Sequence, residues 1–305
     1  MKFKYIEEDF KVKEDPCFEL KSSGEFACFK LIKKNWNTPS VIETIAKKLR
    51  ISTKSIGYAG NKDKFAITEQ YITIPLSESE VENVENLNLN GVSIKFVGWL
   101  TERITLGFLK GNKFKIVVRQ CDNEKTFSFD KVKNLYGPQR FGVGNQNVEV
   151  GRALLKKNFE LACKLLKLEV EDRNFVNILA SLDARVLRIY ISAYQSWLWN
   201  NVANRIENMD ELEVFGFLTD CKDDNVAKYY EEILTKEGIK REDFLIKQLK
   251  KISMEGTKRK LYLDINNFSY IWESDEMFPG KNKCTLTFEL GKGSYATVLI
   301  DYLFY

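Results

Sequence analysis

A pair of strand-like segments at the C-terminus, far along the chain from the other strands, constrains the fold most. Residues 284–290 and 296–303 are rich in β-branched and aromatic side chains, which favour strands. Two strands alone cannot bury a hydrophobic core in water. We therefore expect both segments to return to a sheet that the N-terminal residues begin, so that the chain between them is an insertion.

The spacing of the apolar residues changes along the chain. Partial alternation predicts strands near residues 10–13, 26–32, 55–59, 70–74, 93–97 and 113–119. A helix is expected after Thr38, the candidate N-cap, because Pro39 suits a first helical turn. Helical spacing runs from residue 148 to about residue 208, and a charged helix is expected near residues 229–236. The predicted fold class is α+β.

Composition excludes several classes of protein. Of the 305 residues, 44% are apolar and 30% are charged, as in a folded globular protein. No apolar run approaches the roughly 18 residues that a membrane span needs. The charged, alternating N-terminus differs from a signal or transit peptide. We therefore expect a cytoplasmic protein without a membrane partner.

The sequence contains no histidine. This excludes a Ser-His-Asp triad, a Cys-His pair and most catalytic zinc sites, so an enzyme of this sequence works with carboxylates, lysines or tyrosines. The six cysteines lack zinc-ligand spacing and are expected to be reduced thiols. The net charge of +4 is a weak basic bias. Its excess lies in the N-terminal half, where we expect an RNA backbone to bind.

The strongest local signal is a glycine-bearing turn after the short strand at residues 55–59. In this turn Asp63 stands between Lys62 and Lys64. Neighbouring cations favour an ionised carboxylate, and such a group suits nucleophilic attack or proton transfer. Alternatively, Asp63 accepts hydrogen bonds from amides of the turn and the lysines are solvated. The spacing alone leaves both interpretations open.

The residues around Asp63 resemble the catalytic motif of the TruD family of tRNA pseudouridine synthases. That motif reads G-x-K-D-x-x-A-x-T-x-Q, and the matching positions are Gly60, Lys62, Asp63, Ala66, Thr68 and Gln70. Other family elements follow in the family's order, among them E-D-F-x-V-x-E, G-x-x-x-G-N-x-F, N-Y-F-G-x-Q-R-F-G and L-P-x-G-S-[YF]-A-T. They resemble residues 8–14, 107–114, 134–142 and 290–297. The resemblance covers essentially the whole chain.

The chain departs from the family pattern at four places. Phe26 replaces the histidine of a G-E-H element, and a leucine and a tyrosine replace Tyr-Phe before Gly137. Gly291 replaces the proline of the last motif, and Ile300 and Asp301 stand where Arg-Glu is common. None of these changes falls on a position that matches the family's active-site residues.

By this resemblance, Asp63 is the catalytic carboxylate that acts on the sugar or base while the glycosidic bond is broken. Lys4 would compensate the buried charge of Asp63, and Asn112 would bind the uracil edge or orient the carboxylate. Phe114 would stack on an extruded uracil, although its position also suits a core residue of a strand. Tyr295 would close the pocket from the returning strand, or it is an ordinary aromatic residue of the sheet.

Several cations near these positions are candidates for contacts with RNA phosphates, which position a nucleic acid without reading its sequence. They are Lys62, Lys113, Lys115, Arg119 and Arg140. Solvation is the alternative for each of them as a surface cation. In addition, Arg140 could be structural, and Lys62 precedes a turn aspartate and could face away from the site.

The resemblance also implies the architecture and the substrate. A pseudouridine-synthase-like catalytic domain with a mixed, largely antiparallel sheet would comprise residues 1–140 with 278–305. A smaller α/β TruD domain would be inserted at residues 141–277, and the cleft between the two would bind tRNA. The implied target is uridine 13 in the D arm of tRNA. We expect no cofactor and no metal ion, and a monomeric protein.

Two functions of other classes are weighed against this one. A catalytically silent RNA-binding or RNA-folding module would be free to lose Asp63, so the intact set of Asp63, Lys4, Asn112 and Phe114 argues against it. A phosphoryl transferase that uses an aspartate would need a phosphate loop or clustered metal-binding carboxylates. The sequence around Asp63 shows neither.

Overall fold

The computed structural model describes residues 1–305 and divides into two compact units. The first, which we call the sheet unit, comprises Met1–Ser128 and Asp264–Gly293. The second, which we call the helical unit, comprises Phe129–Leu263 and Ser294–Tyr305. The assignment of a catalytic and an inserted domain to particular residue ranges stays a prediction.

The chain forms eleven strands and eight α-helices, joined by loops and short 3-10 turns. In chain order they are β1 (Lys2–Phe3), β2 (Phe10–Asp15), β3 (Phe26–Lys34), α1 (Thr38–Leu49), β4 (Gly57–Tyr58), β5 (Ile67–Ile74), α2 (Val81–Glu85), β6 (Val92–Leu100), β7 (Gly111–Cys121), α3 (Gln146–Leu155), α4 (Phe159–Leu165), α5 (Phe175–Ser181), α6 (Ala184–Ala203), β8 (Glu211–Val214), α7 (Asp224–Glu237), β9 (Thr257–Lys260), β10 (Ile265–Ser274), β11 (Asn282–Gly291) and α8 (Ala296–Phe304). None of the helices is long and apolar enough to cross a membrane.

One nine-stranded sheet organises the sheet unit. Its order is β10-β11-β7-β2-β5-β3-β6, with β1 paired to β7 and β4 paired to β5. Strands β2 and β5 run parallel, and the other paired strands run antiparallel. The expected α+β fold with a mixed, largely antiparallel sheet is confirmed. The pairing of β11 with β7 also confirms that residues 284–290 return to the N-terminal sheet.

Helix α1 packs against the sheet through residues such as Ile45, which is buried in the same cluster as Phe29. The side chain of Asn37 caps this helix, since its Oδ1 accepts a hydrogen bond from the amide of Ser40 at 2.8 Å. The prediction that Thr38 is the cap is therefore wrong by one residue. Thr38 is instead buried in the first turn, where its hydroxyl is available to other groups.

The helical unit builds its core around α6. Tyr194, Leu198 and Trp199 of this helix are fully buried, together with residues of α3 and α7. Strands β8 and β9 form a separate two-stranded sheet in this unit. Helices α3 to α6 confirm the predicted helical region after residue 148, and α7 confirms the charged helix near residue 229.

Residues 296–303 form helix α8 and not the predicted strand. Their β-branched and aromatic side chains favour a strand, but the buried positions follow helical spacing. These positions are Ala296, Leu299, Ile300, Leu303 and Phe304. Burial of one helical face thus outweighs the preference of these residues for a strand. Only one of the two C-terminal segments belongs to the large sheet.

Candidate active site

Asp63 lies on the loop between β4 and β5, and a buried lysine of β3 holds the backbone of this loop. Lys33 is 0% exposed. Its Nζ donates hydrogen bonds to the carbonyl oxygens of Trp36 at 2.5 Å, Asp63 at 2.9 Å and Lys62 at 3.2 Å. The ammonium therefore binds the carbonyl oxygens of two consecutive residues of the loop, Lys62 and Asp63. Burial lowers the pKa of Lys33 to about 8, while Asp63 opposes this shift.

Two further buried side chains support the same loop. The hydroxyl of Thr38 donates to Gln70 Oε1 at 2.9 Å and accepts a hydrogen bond from the amide of Lys62 at 2.9 Å. The amide group of Gln70 donates to the carbonyl oxygen of Gly60 at 3.3 Å. Thr38 and the motif residue Gln70 thus position the loop by direct hydrogen bonds.

Lys62 forms a buried ion pair with Glu14 of β2. Lys62 Nζ lies 2.7 Å from Glu14 Oε2, and the two side chains are 7% and 1% exposed. The other oxygen of Glu14 accepts a hydrogen bond from the amide of Tyr71 at 3.2 Å. Because its ammonium is enclosed and paired, we do not retain Lys62 as a contact for RNA phosphates. Its pairing with Glu14 agrees with the alternative that it faces away from the site.

Lys4 meets the carboxylate of Asp63 directly. The distance from Lys4 Nζ to Asp63 Oδ2 is 2.5 Å, and the two side chains are 23% and 29% exposed. The same ammonium lies 4.1 Å from the centre of the Phe10 ring, which stabilises a cation. Oδ1 of Asp63 has no hydrogen-bond donor in the chain. Asp63 therefore has one neutralised oxygen and one free oxygen at a partly open position.

Asn112 and the residues that hold the Asp63 loop lie on one face of the sheet. Residues directly opposite each other in adjacent strands point to the same face. Asn112 of β7 lies opposite Glu14 of β2, whose carboxylate holds Lys62. Asn112 Oδ1 is buried and lacks a hydrogen-bond donor. Because an unpaired buried acceptor is costly, this oxygen is a candidate for binding a ligand donor.

Phe114 lies two residues further along β7, opposite Val12, and is 8% exposed. Its ring stacks on Phe288 with a centroid distance of 5.3 Å and meets the edge of Phe10 at 6.3 Å. These contacts agree with the alternative that Phe114 is a core residue. A side chain buried to this degree does not form an open stacking platform. Contact of Phe114 with a base stays a prediction.

Three of the residues predicted to contact RNA phosphates lie near Phe114 on β7. Lys113 and Lys115 are exposed, and strand alternation directs them to the face opposite Asn112 and Phe114. Lys113 pairs there with Glu289 at 3.0 Å. Arg119 is buried and binds the carboxylates of Asp9, Asp275 and Glu276. Arg119 therefore has a structural role, and we do not retain it as an RNA contact.

The other two predicted site residues, Arg140 and Tyr295, belong to the helical unit. Arg140 donates to the hydroxyl of Ser196 at 3.3 Å. Tyr295 is the residue before helix α8, and so it does not lie on a returning strand as expected. Its ring meets that of Tyr136 at 6.2 Å. The family-derived roles of Arg140 and Tyr295 stay predictions.

The sequence interpretation missed the roles of Lys33, Glu14 and Arg259. A signal for Lys33 was present, because Ala27, Phe29 and Leu31 alternate as buried residues of β3 and Lys33 continues their series. A lysine on a buried strand face requires partners, so this position could have been singled out. Glu14 gives the same signal on β2 after Phe10 and Val12, which are also buried.

Arg259 is the missed residue of the helical unit. Its guanidinium lies 4.0 Å from the centre of the Tyr136 ring and 5.9 Å from that of Tyr295. It also donates hydrogen bonds to the carbonyl oxygen of Asn134. Burial lowers the pKa of this guanidinium. No sequence pattern predicts the contacts with Asn134 and Tyr136, because these residues lie more than a hundred positions before Arg259.

Comparison with known proteins identifies the family to which the chain belongs. The sequence model of the family "tRNA pseudouridine synthase D (TruD)" matches residues 1–169 and 204–302. The chain therefore belongs to the TruD family of tRNA pseudouridine synthases. Membership of this family makes it an isomerase.

Individual relatives extend over the whole chain. A Methanococcus maripaludis protein named "Probable tRNA pseudouridine synthase D 1" is 28% identical, with 100% of this chain and 99% of the relative covered. A Thermococcus sibiricus relative named "Probable tRNA pseudouridine synthase D" is 29% identical over 97% of this chain and 93% of its own length. A crystal structure assigned as TruD from Methanosarcina mazei has a TM-score of 0.76 and 23% identity. It covers 99% of this chain and 92% of that one, and it shows the shared fold.

Proposed function

We propose that this protein converts a uridine of tRNA to pseudouridine, with Asp63 as the catalytic carboxylate. By family resemblance the target is uridine 13 of the D arm, and the protein works in the cytoplasm, where tRNA is available. One observation carries the assignment of Asp63. Its Oδ2 lies 2.5 Å from Lys4 Nζ, whereas its Oδ1 is free of protein donors. One oxygen is therefore neutralised while the other is able to approach a substrate.

The proposed reaction is an isomerisation. The bond between uracil N1 and ribose C1′ breaks, the base turns, and a bond forms between C5 and C1′. The hydrogen on C5 is lost as a proton, and N1 gains one. Because atoms and electrons balance within the nucleoside, the reaction requires no cofactor and no metal ion. An aspartate suits it, since a carboxylate can act on the sugar or base while the glycosidic bond is broken.

Lys4 has the role of compensating the charge of Asp63 beneath bound RNA. A carboxylate that loses its hydration costs several kcal/mol unless a cation stays beside it. Lys4 is the cation in contact with the carboxylate, and its ammonium also lies 4.1 Å from the centre of the Phe10 ring. The sequence neighbours Lys62 and Lys64 do not supply this contact, because Lys62 binds Glu14 and no ion pair joins Lys64 to Asp63.

Asn112 and Phe114 are proposed to recognise the base. Uracil carries a donor at N3, and the unpaired Oδ1 of Asn112 is an acceptor on the sheet face that carries the Asp63 loop. Cytosine has no proton at N3, so this hydrogen bond would discriminate between the two pyrimidines. Extrusion of the uridine costs a few kcal/mol of stacking, and contact with the edge of Phe114 offsets part of it.

Pseudouridine mapping of a tRNA transcript tests the proposal. Purified protein is incubated with unmodified tRNA without added metal or nucleotide, and we expect conversion at position 13. Asp63→Asn should abolish conversion while tRNA binding persists, because the amide cannot act as a carboxylate. Asp122→Asn is the matched control, since Asp122 is an exposed aspartate paired with Lys281 and should leave the rate unchanged.

Three results would overturn or correct parts of the proposal. Conversion that survives Asp63→Asn would remove this residue from the chemistry. A wild-type protein that binds tRNA but converts no uridine would instead support a silent RNA-binding module. Conversion at another position, with position 13 unmodified, would correct the target and leave the reaction class in place.

A further inference from the structure

Lys33 is a buried cation that meets no carboxylate. Its side chain is fully buried, and its ammonium binds three backbone carbonyl oxygens. An ammonium has three N–H donors and no acceptor, so the three carbonyls match its capacity. Burying a lysine is costly, and a core position on β3 would otherwise take an apolar residue like those at Phe29 and Leu31. A specific task at this position would explain the lysine.

The three bonds of Lys33 connect separate elements of the sheet unit, in addition to the bonds that Thr38, Gln70 and Glu14 make to the same loop. Trp36 follows β3 and precedes α1, whereas Lys62 and Asp63 belong to the loop after β4. Lys33 itself lies opposite Thr68, at the start of β5. One side chain therefore joins the strand, the entry to the helix and the loop that carries Asp63. Displacement of the loop by 1 Å would be enough to cost about 100-fold in rate.

We infer that Lys33 is a positioning residue for the proposed isomerisation, because its ammonium fixes the backbone of Asp63 and thereby the direction of the catalytic carboxylate. This inference rests on the proposed function. Lys33 acts through Asp63 and does not touch the substrate. Lys4 and Lys33 thus have different tasks, since Lys4 binds the carboxylate and Lys33 binds the carbonyl oxygen of the same residue.

Loss of the proton from Lys33 should limit activity at alkaline pH. A neutral amine has two donors and a lone pair, so one of the three carbonyls would lose its hydrogen bond and face a repulsive lone pair. The charged groups around Lys33 are those of the loop and their partners. Asp63 favours the protonated form and Lys62 opposes it, while Lys4 and Glu14 neutralise these two. Burial lowers the pKa of Lys33 to about 8, within an accessible range.

Substitution of Lys33 by an apolar side chain of similar length tests the inference. Lys33→Met should lower the single-turnover rate of pseudouridine formation by about 100-fold, while the Kd for tRNA changes by less than about threefold. Lys34→Met is the matched control. Lys34 is the next residue, and it forms a partly exposed ion pair with Glu8 away from the Asp63 loop. Its substitution should leave the rate unchanged.

The pH profile supplies a second test that does not depend on folding of the Met variant. The wild-type rate should fall as pH rises through about 8, the pKa of Lys33. Lys33→Arg keeps its charge throughout this range, so it should retain activity without that fall, although at a lower rate. Ionisation of the substrate affects both proteins equally. The difference between their profiles therefore reports on residue 33.

These outcomes separate the inference from the proposed function. Wild-type conversion together with an unimpaired Lys33→Met variant would overturn the role of Lys33 and leave Asp63 in place. Identical pH profiles for the wild type and Lys33→Arg would overturn the alkaline limit. Failure of the wild type to convert any uridine would overturn the proposed function itself, and with it the inference.

Discussion

At the scale of single residues, Asp63 depends on two lysines that act on different parts of it. Lys4 neutralises one carboxylate oxygen, and Lys33 binds the main-chain carbonyl. The two ammonium groups also have different surroundings, because Lys4 is partly exposed and Lys33 is fully buried. We expect the partly exposed lysine to adjust when RNA binds and the buried one to fix the loop beforehand. Their removal should therefore have different consequences for stability.

The titration of Lys33 predicts how stability depends on pH. Its pKa is about 8 in the folded chain and has an ordinary value of 10.5 when unfolded. Between these values the unfolded chain holds a proton that the folded chain has lost, so the free energy of unfolding rises with pH. Relative to Lys33→Met, the wild type should gain about 3 kcal/mol across this interval.

Urea unfolding of both proteins at several pH values measures this difference. The buried thiols of Cys28 and Cys284, whose pKa burial raises to about 12, occur in both proteins and cancel in the comparison. A difference that stays constant from pH 8 upwards would show that Lys33 does not titrate there. Activity should fall over the interval in which stability rises, which separates positioning from simple stabilisation.

At the scale of elements, the Asp63 loop is fastened to three strands by side chains that share one face of the sheet. Lys33 comes from β3, Gln70 from β5 and Glu14 from β2. The loop itself has little regular structure, so these bonds replace the backbone ladder that a strand would provide. The face opposite Asn112 and Phe114 carries solvated ion pairs such as that of Lys113 and Glu289. An ion pair on one face should therefore contribute a different amount to the free energy of unfolding from an ion pair on the other face.

Matched substitutions on the two faces should show this difference. Glu14→Leu leaves the ammonium of Lys62 buried without its partner, which should cost about 3–5 kcal/mol of unfolding free energy. Glu289→Leu removes an exposed pair and should cost about 1 kcal/mol or less. Urea unfolding at neutral pH gives both values. Equal costs for the two variants would argue that the Lys62–Glu14 pair is not the buried link we describe.

The sequence predicts the helices and strands of this fold better than the side-chain contacts that connect them. Alternation locates β3 and β7, and helical spacing locates α1 and α6, because each depends on residues that are neighbours in the chain. The residues of helix α8 predict a strand, since β-branched side chains favour strands and only packing of the buried helical face reverses this preference. The ion pair between Lys62 and Glu14 joins residues that are far apart in the chain, so no local sequence pattern predicts it.

The candidate site was predictable to a similar extent. The family resemblance predicts Asp63 and Lys4 as site residues, and the structure brings their side chains together. Lys62 and Arg119 were expected to contact RNA because charge alone suggests solvent exposure, yet both are buried against carboxylates. A sequence gives the charge of a side chain and not its partners. The supporting roles of Lys33 and Glu14 therefore required the structure.

At the scale of the whole molecule, the chain has the fold of its family in a shorter sequence. The alignment with the Methanococcus maripaludis relative extends over 394 positions, whereas this chain has 305 residues. The relative therefore carries segments that have no counterpart here. The sheet unit nevertheless contains Asp63, Lys4, Asn112 and Phe114. A shorter chain thus keeps the complete set of residues that we propose for the chemistry in one unit.

A structure of the protein bound to tRNA is the most direct measurement of the central claim. We predict that the target uridine is extruded and that an oxygen of Asp63 lies about 3–3.5 Å from C1′ or C6 of this nucleoside. Asn112 Oδ1 should lie within hydrogen-bonding distance of uracil N3. The account would be contradicted by a uridine bound elsewhere in the protein, with the carboxylate of Asp63 out of reach of both carbon atoms.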